Sequence, residues 1–557
     1  MLDQNLPIQP TVAQSPSGLE GAALNTAALD SAHVGDIRGA LGTIRQGDDR
    51  PRLTLGAKLK TLAAIVGPGL IVMVGDNDAG AFGTYTQAGQ NYGTSLLWTL
   101  LLLVPVLYVN QEMVLRLGAV AGVGHARLIL ERFGKFWGAF SVVDLFILNG
   151  LTIVTEFIGV SLGLDYLGLP KLWGVLAAAA VTMGAAATGD FRRFERFAMA
   201  LCFGSLLLVP VFLAVHPPLG EVARDFVLPQ LPATGKLSDV LLLIIAIVGT
   251  TVAPWQLFFQ QSYVIDKRIT PRFMAYEKAD LWIGIVVVII GAVAMMAFTA
   301  ATFAGQPEAG NFTDAGGISA GLEKYVGAVP GTLFALALID ASIIGASAVS
   351  LATAYALGDV LALKHSLHRK ASDAKGFYLV YCGLIAAAAV LVLIPGAPLG
   401  LITMGVQTLA GVLLPSATVF LLLLCNDRAV LGPWVNGRWT NLFTGAVIAV
   451  LVLLSVILTA SVLYPDITGH TILVILGGGI VAALIVAGVT LLRGKRGADT
   501  APALDRALRA GWRMPPLPQL APSRITGATR IWMMVLRGYL LVAVGMVLFR
   551  IVQLALA

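Results

Sequence analysis

Long apolar stretches, two of them interrupted, constrain this chain of 557 residues more than any other feature. A helix needs about 20 apolar residues to cross ~30 Å of hydrocarbon. Twelve stretches come near that length, and a thirteenth over 531–555 follows a basic segment. Only 12% of the residues are charged, against about 25% in soluble proteins. We therefore predict an all-α, multi-pass membrane protein. The twelve stretches are 60–88, 95–118, 137–164, 172–188, 197–215, 239–264, 280–304, 328–362, 377–395, 398–424, 440–463 and 471–492.

The first and sixth of these spans contain residues that break helices. Span 1 is rich in glycine and carries Asp76 and Asp78 near its middle, whereas span 6 carries Pro254. Backbone groups freed by such a break must be satisfied inside protein or around a cavity. Broken spans at corresponding places of two repeats are typical of the substrate site of a secondary transporter.

The two breaks lie five spans apart, and an odd repeat length gives the two repeats opposite orientations. This spacing predicts a LeuT-like fold with inverted repeats formed by spans 1–5 and 6–10, broken helices 1 and 6, and two or three peripheral C-terminal helices. The domain limits expected from composition are a disordered cytoplasmic tail over 1–57, a transporter core over 58–425, peripheral spans 11 and 12 over 426–493, a basic cytoplasmic segment over 494–530 and an additional span over 531–557.

Basic residues concentrate in the loops after the even-numbered spans, for example Arg127, Arg192 and Lys364. The positive-inside rule then predicts a cytoplasmic N-terminus in a bacterial inner membrane. Because the positive charge lies in these loops, it gives no indication of nucleic-acid binding. No cleavable signal peptide is evident, so span 1 is expected to act as the insertion signal. The cysteines (Cys202, Cys382 and Cys425) lie in apolar spans without metal-ligand spacing.

A charge inside a membrane is costly and needs a reason. Asp78 lies in the span 1 break beside Gly80, where a carboxylate and released carbonyl groups favour a hard cation. Asp76 either faces the same cavity or pairs elsewhere, and Glu156 either lines the cavity or makes a structural hydrogen bond. The other interior acids are expected to be structural or to extend toward the interface, namely Glu112, Asp144 and Asp340.

Several short motifs occur in order along residues 55–440. Span 1 contains GPG, D-x-G and QAGQNYG, and span 2 ends with QEMVLRLGAVAG. Span 3 contains TEFIGVSLGL, and the loop after span 4 contains GDFRRFER. Span 10 and the loop after it read LLPSATVFLLLLCNDRAVLGPWVNGRW. At these motifs the chain resembles the Nramp family of divalent-metal transporters.

The resemblance implies that Asp78, the carbonyl group of Thr250 and Gln407 bind the metal. Three positions depart from the family pattern: Ala81 replaces an asparagine ligand, Ala253 replaces a methionine thioether, and a histidine has become a tryptophan. The full set of candidate metal positions is Asp78, Gln407, Thr250, Asp76, Ala81 and Ala253. The expected cavity-lining residues are Trp255, Gln260, Gly80 and Glu156.

Residues that the family uses for proton coupling are also missing. An aspartate of span 3 corresponds to Ile153, and span 9 carries no charge. Loss of the soft thioether removes the preference for transition metals over Mg²⁺, as in the Nramp-related magnesium transporters that the chain resembles. The prediction is a monomeric transporter in the lipid bilayer that carries Mg²⁺, and also Mn²⁺, by alternating access, without a cofactor and without proton coupling.

Three alternatives stay open at this stage. A proton-coupled Mn²⁺/Fe²⁺ symporter with a rebuilt site is one, and Met404 or Met73 could then supply the sulfur ligand. An organic-solute carrier of the same fold is another, although Asp78 would repel a substrate carboxylate. The third is a membrane sensor that binds the ion without transporting it. None of these is an enzyme.

Overall fold

The computed structural model describes residues 27–233, 235–395, 399–463, 469–494 and 509–523, with five isolated positions beyond them. Helices dominate this part of the chain. With the predicted span that each forms in brackets, they are α1 Leu55–Ile65, α2 Pro68–Val74 and α3 Ala79–Tyr92 (span 1), α4 Trp98–Ala121 (2), α5 His125–Phe133, α6 Lys135–Tyr166 (3), α7 Lys171–Ala186 (4), α8 Phe191–Gly204 and α9 Leu208–Val215 (5), α10 Leu219–Val227, α11 Leu237–Thr251 and α12 Pro254–Asp266 (6), α13 Met274–Phe303 (7), α14 Ala315–Tyr325, α15 Ala328–Val360 (8), α16 Lys375–Val392 (9), α17 Leu399–Cys425 (10), α18 Arg428–Leu431, α19 Arg438–Leu463 (11) and α20 Gly469–Gly494 (12).

The helices agree with the predicted spans. Within the described ranges, nine are long and apolar enough to cross a membrane, counting α8–α9 and α11–α12 as one each. Helices α1 and α2, bent by 53° relative to each other, form a tenth candidate. The apolar helix α7 and the apolar part of α20 are shorter.

Both predicted breaks are present. In span 1, residues 75–78 separate α2 from α3, and the Asp78 side chain caps α3 by accepting the Ala81 N–H at 2.9 Å. In span 6, α11 ends at Thr251 and Val252 leaves the helical region with φ −130° and ψ 69°. Pro254 starts α12, where a missing N–H costs nothing.

Packing between the halves is reciprocal, as inverted repeats require. Span 2 (α4) packs against α12 of span 6, and span 7 (α13) packs against α2 and α3 of span 1. The long helices of spans 3 and 8, α6 and α15, pack against each other. Helix α11 lies along α17, so the two breaks and span 10 share one interior region. Helices α19 and α20 are peripheral, since α19 packs on α17 and α20 packs on α19.

The N-terminal tail differs from the predicted disorder over 1–57. Residues 37–39 and 42–44 form an antiparallel hairpin, β1 and β2, whose Ala40 turn is buried against the helices. Arg369 pairs with Asp30 at 2.5 Å, and His33 Nε2 lies 2.9 Å from the His365 carbonyl oxygen. Burial of the hairpin and these polar contacts order the segment from residue 27 onward, while residues 1–26 lie outside the described residues. We call this side of the molecule the hairpin face.

Part of the predicted basic segment also packs on the hairpin face. The Met514 N–H donates to the Val120 carbonyl group at 3.2 Å, and the Arg132 guanidinium donates to the Ala521 carbonyl group at 2.5 Å. These bonds attach residues 509–523 to α4 and α5. The predicted thirteenth span, 531–555, lies outside the described residues apart from the isolated positions.

Candidate metal-ion site

Asp78 and Glu156 form the acidic centre of the interior region. Glu156, on α6, accepts the Ala79 N–H at 3.1 Å, and its carboxyl group lies within hydrogen-bonding reach of that of Asp78. The helix opposite makes room for both through Gly345, since a Cβ there would lie 2.6 Å from Glu156 Oε2 and 2.9 Å from the Asp78 Cβ. Two carboxyl groups this close must share a proton or a cation. The structure therefore shows that Glu156 is a neighbour of Asp78.

Gln407 reaches the same place from α17. Its side-chain amide lies directly against Gly80, where an added Cβ would overlap the amide nitrogen. The backbone oxygen of Gln407 also packs closely against Gly249 of α11, where an added Cβ would lie 2.3 Å from it. Two glycines, one beside each break, thus let Gln407 lie between spans 1 and 6.

Three buried polar atoms around this centre lack a protein hydrogen-bond partner. They are Glu156 Oε1, Thr250 Oγ1 and Gln407 Nε2. Thr250 is the residue after Gly249, in the last turn of α11. Buried polar atoms are normally satisfied by protein, water or an ion. The Gln407 Nε2 group is a donor and can be satisfied only by an acceptor such as water, so water is expected beside any ion bound here.

Ala81 and Ala253 offer no side-chain ligand. The methyl group of Ala81 is fully buried, and its backbone N–H is committed to Asp78. Ala253 occupies the N-cap position of α12 without a side-chain hydrogen bond. Both positions that carry ligands in the family pattern therefore contribute only small apolar groups here.

Asp76 is held by an amide chain that the sequence did not suggest. Its Oδ1 accepts a hydrogen bond from Gln256 Nε2, and Gln256 Oε1 accepts one from Gln111 Nε2 at 2.8 Å. Its other oxygen has no donor. Asp76 thus has a partner on one oxygen, while the other oxygen remains available in the interior region, so both alternatives for Asp76 stay predictions. The sequence feature that could have indicated this contact is the position of Gln256, one residue after Trp255 in the broken span 6.

Trp255 and Gln260 occupy α12 beyond the second break. Trp255 is 1% exposed, its ring lies 6.1 Å from that of Phe259, and a Cβ at Gly75 would be 3.8 Å from the indole. Trp255 therefore packs over the start of the first break. Gln260 is fully buried, and neither of its amide atoms has a protein partner.

The two methionines considered as replacement ligands have different surroundings. Met73 packs against Gly284 of α13, where a Cβ would be 2.8 Å from its side chain. Met404 lines a narrow cleft of about 20 Å³ that reaches Ala79 and is also lined by Thr84 and Asp314. This cleft is an approach to the centre from the side away from the hairpin face.

The remaining interior acids have separate surroundings. Glu112, expected to extend toward the interface, pairs with Arg116 at 3.2 Å and Lys278 at 2.8 Å. Asp340 lies against Gly204 of α8. Within the part of the chain that the structure describes, no three His, Cys, Asp or Glu side chains group as a metal site. A cation beside Asp78 would therefore need amide, backbone and water oxygens as well.

Broken helices in spans 1 and 6, inverted packing and a carboxylate between the breaks together define a multi-pass membrane transporter of LeuT-like architecture. The comparisons with known proteins give its family. A family model described as natural resistance-associated macrophage protein-like matches residues 69–461. The chain belongs to the Nramp family.

Curated relatives and solved structures agree with this assignment. A divalent metal cation transporter MntH of Ralstonia nicotianae is 29% identical over 408 residues, which cover 70% of this chain and 89% of the relative. The MntH of Xylella fastidiosa is 27% identical over 450 residues, covering 77% and 89%. A manganese transporter structure from Eremococcus coleocola has a TM-score of 0.58 at 18% identity, covering 82% and 97%. At this identity the structural likeness establishes the fold.

Proposed function

We propose that this transporter carries Mg²⁺, and also Mn²⁺, across the bacterial inner membrane by alternating access and without moving protons. The observation that carries the proposal is that the positions beside the breaks where the family pattern has an asparagine and a methionine ligand, Ala81 and Ala253, carry only methyl groups. Ala253 stands where the family pattern has a thioether, and Met73 packs away from the break. Divalent cation transport itself agrees with the names of the relatives.

The surroundings of Asp78 suit a hard, hydrated ion. Mg²⁺ takes oxygen ligands in octahedral geometry and usually keeps several waters. Asp78, Glu156, the Gln407 amide oxygen and the Thr250 backbone oxygen are oxygen donors, and the methyl groups of two alanines leave room for water. A thioether would instead favour softer metals.

The membrane potential is sufficient to drive such a carrier. Each positive charge that moves inward gains ~2.3 kcal/mol per 100 mV, and a divalent ion gains about twice that. Ile153 occupies the position of a carboxylate on the family's proton route, and it is fully buried and apolar. The membrane potential alone can therefore supply the free energy for uptake of the ion without a coupled proton.

A proton-coupled Mn²⁺ symporter is the second candidate. The contact between the Asp78 and Glu156 carboxyl groups favours it, because a proton shared by two acids can be displaced by an arriving cation. The names of the relatives favour manganese as well. The two candidates differ in whether protons accompany the ion.

Uptake of Mg²⁺ into proteoliposomes, with a pH indicator inside, tests the proposal. We expect uptake that responds to an imposed potential, with no acidification beyond that of empty vesicles. Asp78→Ala should abolish this uptake, whereas Asp373→Asn, at an exposed acid, should leave it intact. Acidification in proportion to uptake, or Mn²⁺ uptake unaffected by millimolar Mg²⁺, would support the symporter instead.

A further inference from the structure

The joint between α1 and α2 is held from one side by a buried lysine. Lys267 Nζ donates to the carbonyl oxygens of Ile65 and Val66 at 2.6 and 2.8 Å. The same ammonium pairs with Glu195 Oε1 of α8 at 2.7 Å. Both charged side chains are fully buried. Lys267 therefore ties the end of α1 to α8 through two hydrogen bonds and one ion pair.

An aspartate holds the joint from the other side. Asp280, on α13, accepts the backbone N–H groups of Gly67, Gly69 and Leu70 at 3.2, 2.6 and 3.3 Å. The first turn of α2 is thus attached to span 7. Because α1 and α2 are bent by 53° here, the contacts fix the position of the inner half of broken span 1.

Glu277 lies one turn before Asp280 on the same helix and has no comparable support. It is fully buried, and neither of its carboxyl oxygens has a hydrogen-bond donor in the protein. Because Glu277 and Asp280 are three residues apart on α13, their buried carboxyl groups lie on the same face of the helix. The other charged groups facing it are Glu195 and Lys267, which are paired with each other.

We propose that Glu277 is a proton-binding site that controls the joint of span 1. A buried carboxylate without donors is very costly, whereas a protonated Glu277 can donate its O–H to the Asp280 carboxylate. A metal ion is the poorer occupant, because Asp280 already accepts three N–H bonds and too few free oxygens remain for a divalent cation.

The proton links the protonation of Glu277 to the geometry of the joint. Loss of the proton to water at the hairpin face would leave two buried carboxylates in contact, and their repulsion disfavours the closed arrangement. The joint should then release from α13 and expose the inner half of span 1. Because the proton enters and leaves Glu277 at the hairpin face, its exchange transports no proton across the membrane. This exchange is therefore distinct from proton coupling at Asp78.

Infrared difference spectroscopy of the whole purified protein tests the site directly. Labelling the glutamates with ¹³C should shift a protonated-carboxyl C=O band that Glu277→Gln removes and Asp373→Asn keeps. The glutamine has the shape of protonated glutamic acid and should fold. A labelled spectrum that is identical in the wild type and Glu277→Gln would overturn the proposal, and it would do so without reference to any transported ion.

A reporter cysteine tests the control of the joint. Ala64, 2% exposed near the end of α1, lies under the hairpin turn at Gly39 and Gly42. With the three native cysteines replaced by alanine, alkylation of Ala64→Cys should speed up with pH, once corrected for thiolate ionisation, by at most about tenfold per pH unit for one proton. Glu277→Gln should remove that rise. Equal pH dependence with and without Glu277→Gln would refute the control.

Discussion

In span 1, four residues separate α2 from α3, and the Asp78 carboxylate caps the start of α3. In span 6 only Val252 and Ala253 intervene, and α12 begins without a side-chain cap. The first break therefore supplies charge, while the second supplies backbone oxygens and space. The difference implies that the affinity for the ion depends on the Asp78 carboxylate of span 1. The selectivity between ions depends on the missing thioether ligand at Ala253 of span 6.

The largest effect is expected at the charged break. Replacing Asp78 by asparagine keeps the shape of the cap but removes the negative charge opposite a divalent ion. We expect uptake at low Mg²⁺ concentration to fall by about a hundredfold, equivalent to roughly 3 kcal/mol. Radiotracer or indicator uptake measures this change, and near-normal uptake would place the site elsewhere.

Ala253→Met adds a ligand to the uncharged break. A thioether beside Asp78 should favour Mn²⁺ and Cd²⁺ over Mg²⁺, because it is a soft donor. We expect the ratio of Mn²⁺ to Mg²⁺ uptake to rise by about tenfold, or ~1.4 kcal/mol. Ala253→Leu, of similar bulk but without sulfur, is the matched control. If both variants change the ratio equally, bulk rather than sulfur sets selectivity.

Gly80→Ala tests the approach of Gln407 to the first break. An added Cβ would overlap the Gln407 amide nitrogen, so the amide must move away. We expect a loss of apparent affinity of about fivefold, or roughly 1 kcal/mol. Gly184→Ala, where a Cβ meets open space, should leave affinity unchanged. Unchanged affinity in Gly80→Ala would remove Gln407 from the ligand set.

Thr250→Val should have the smallest effect. The substitution removes a buried hydroxyl group that has no protein partner but keeps the backbone carbonyl group that we assign as the ligand. Uptake should change by less than about threefold, under ~0.7 kcal/mol. A loss as large as that of Asp78→Asn would show that span 6 contributes a side-chain ligand and would contradict the comparison.

The sequence predicted those features of the structure that depend on the chemistry of neighbouring residues in the chain. The break at Asp78 and the proline at 254 follow from backbone chemistry, and the structure has both breaks where they were predicted. The hold of Gln256 on Asp76 was not predictable, because it depends on the rotation of α12 relative to span 1. The same is true of Gly345, which admits two carboxyl groups from other helices.

For the N-terminal segment, the sequence predicted disorder where the structure has an ordered hairpin. Its polar, small-residue composition is typical of disorder, yet the hairpin turn is buried against the ends of α1 and α8. The Ala40 N–H donates to Glu195, and Arg192 donates to the Gly39 carbonyl group. Order in such a segment comes from its partner surface and not from its own hydrophobicity, so composition alone cannot predict it.

Equilibrium competition between the two ions tests the central claim most directly. Mn²⁺ bound to the purified protein can be followed by its paramagnetism while Mg²⁺ is added, with Asp78→Asn defining nonspecific binding. A site of oxygen ligands with room for water predicts that millimolar Mg²⁺ displaces Mn²⁺ from the wild type and much less from Ala253→Met. If Mn²⁺ stays bound to the wild type at that concentration, the site is not a magnesium site.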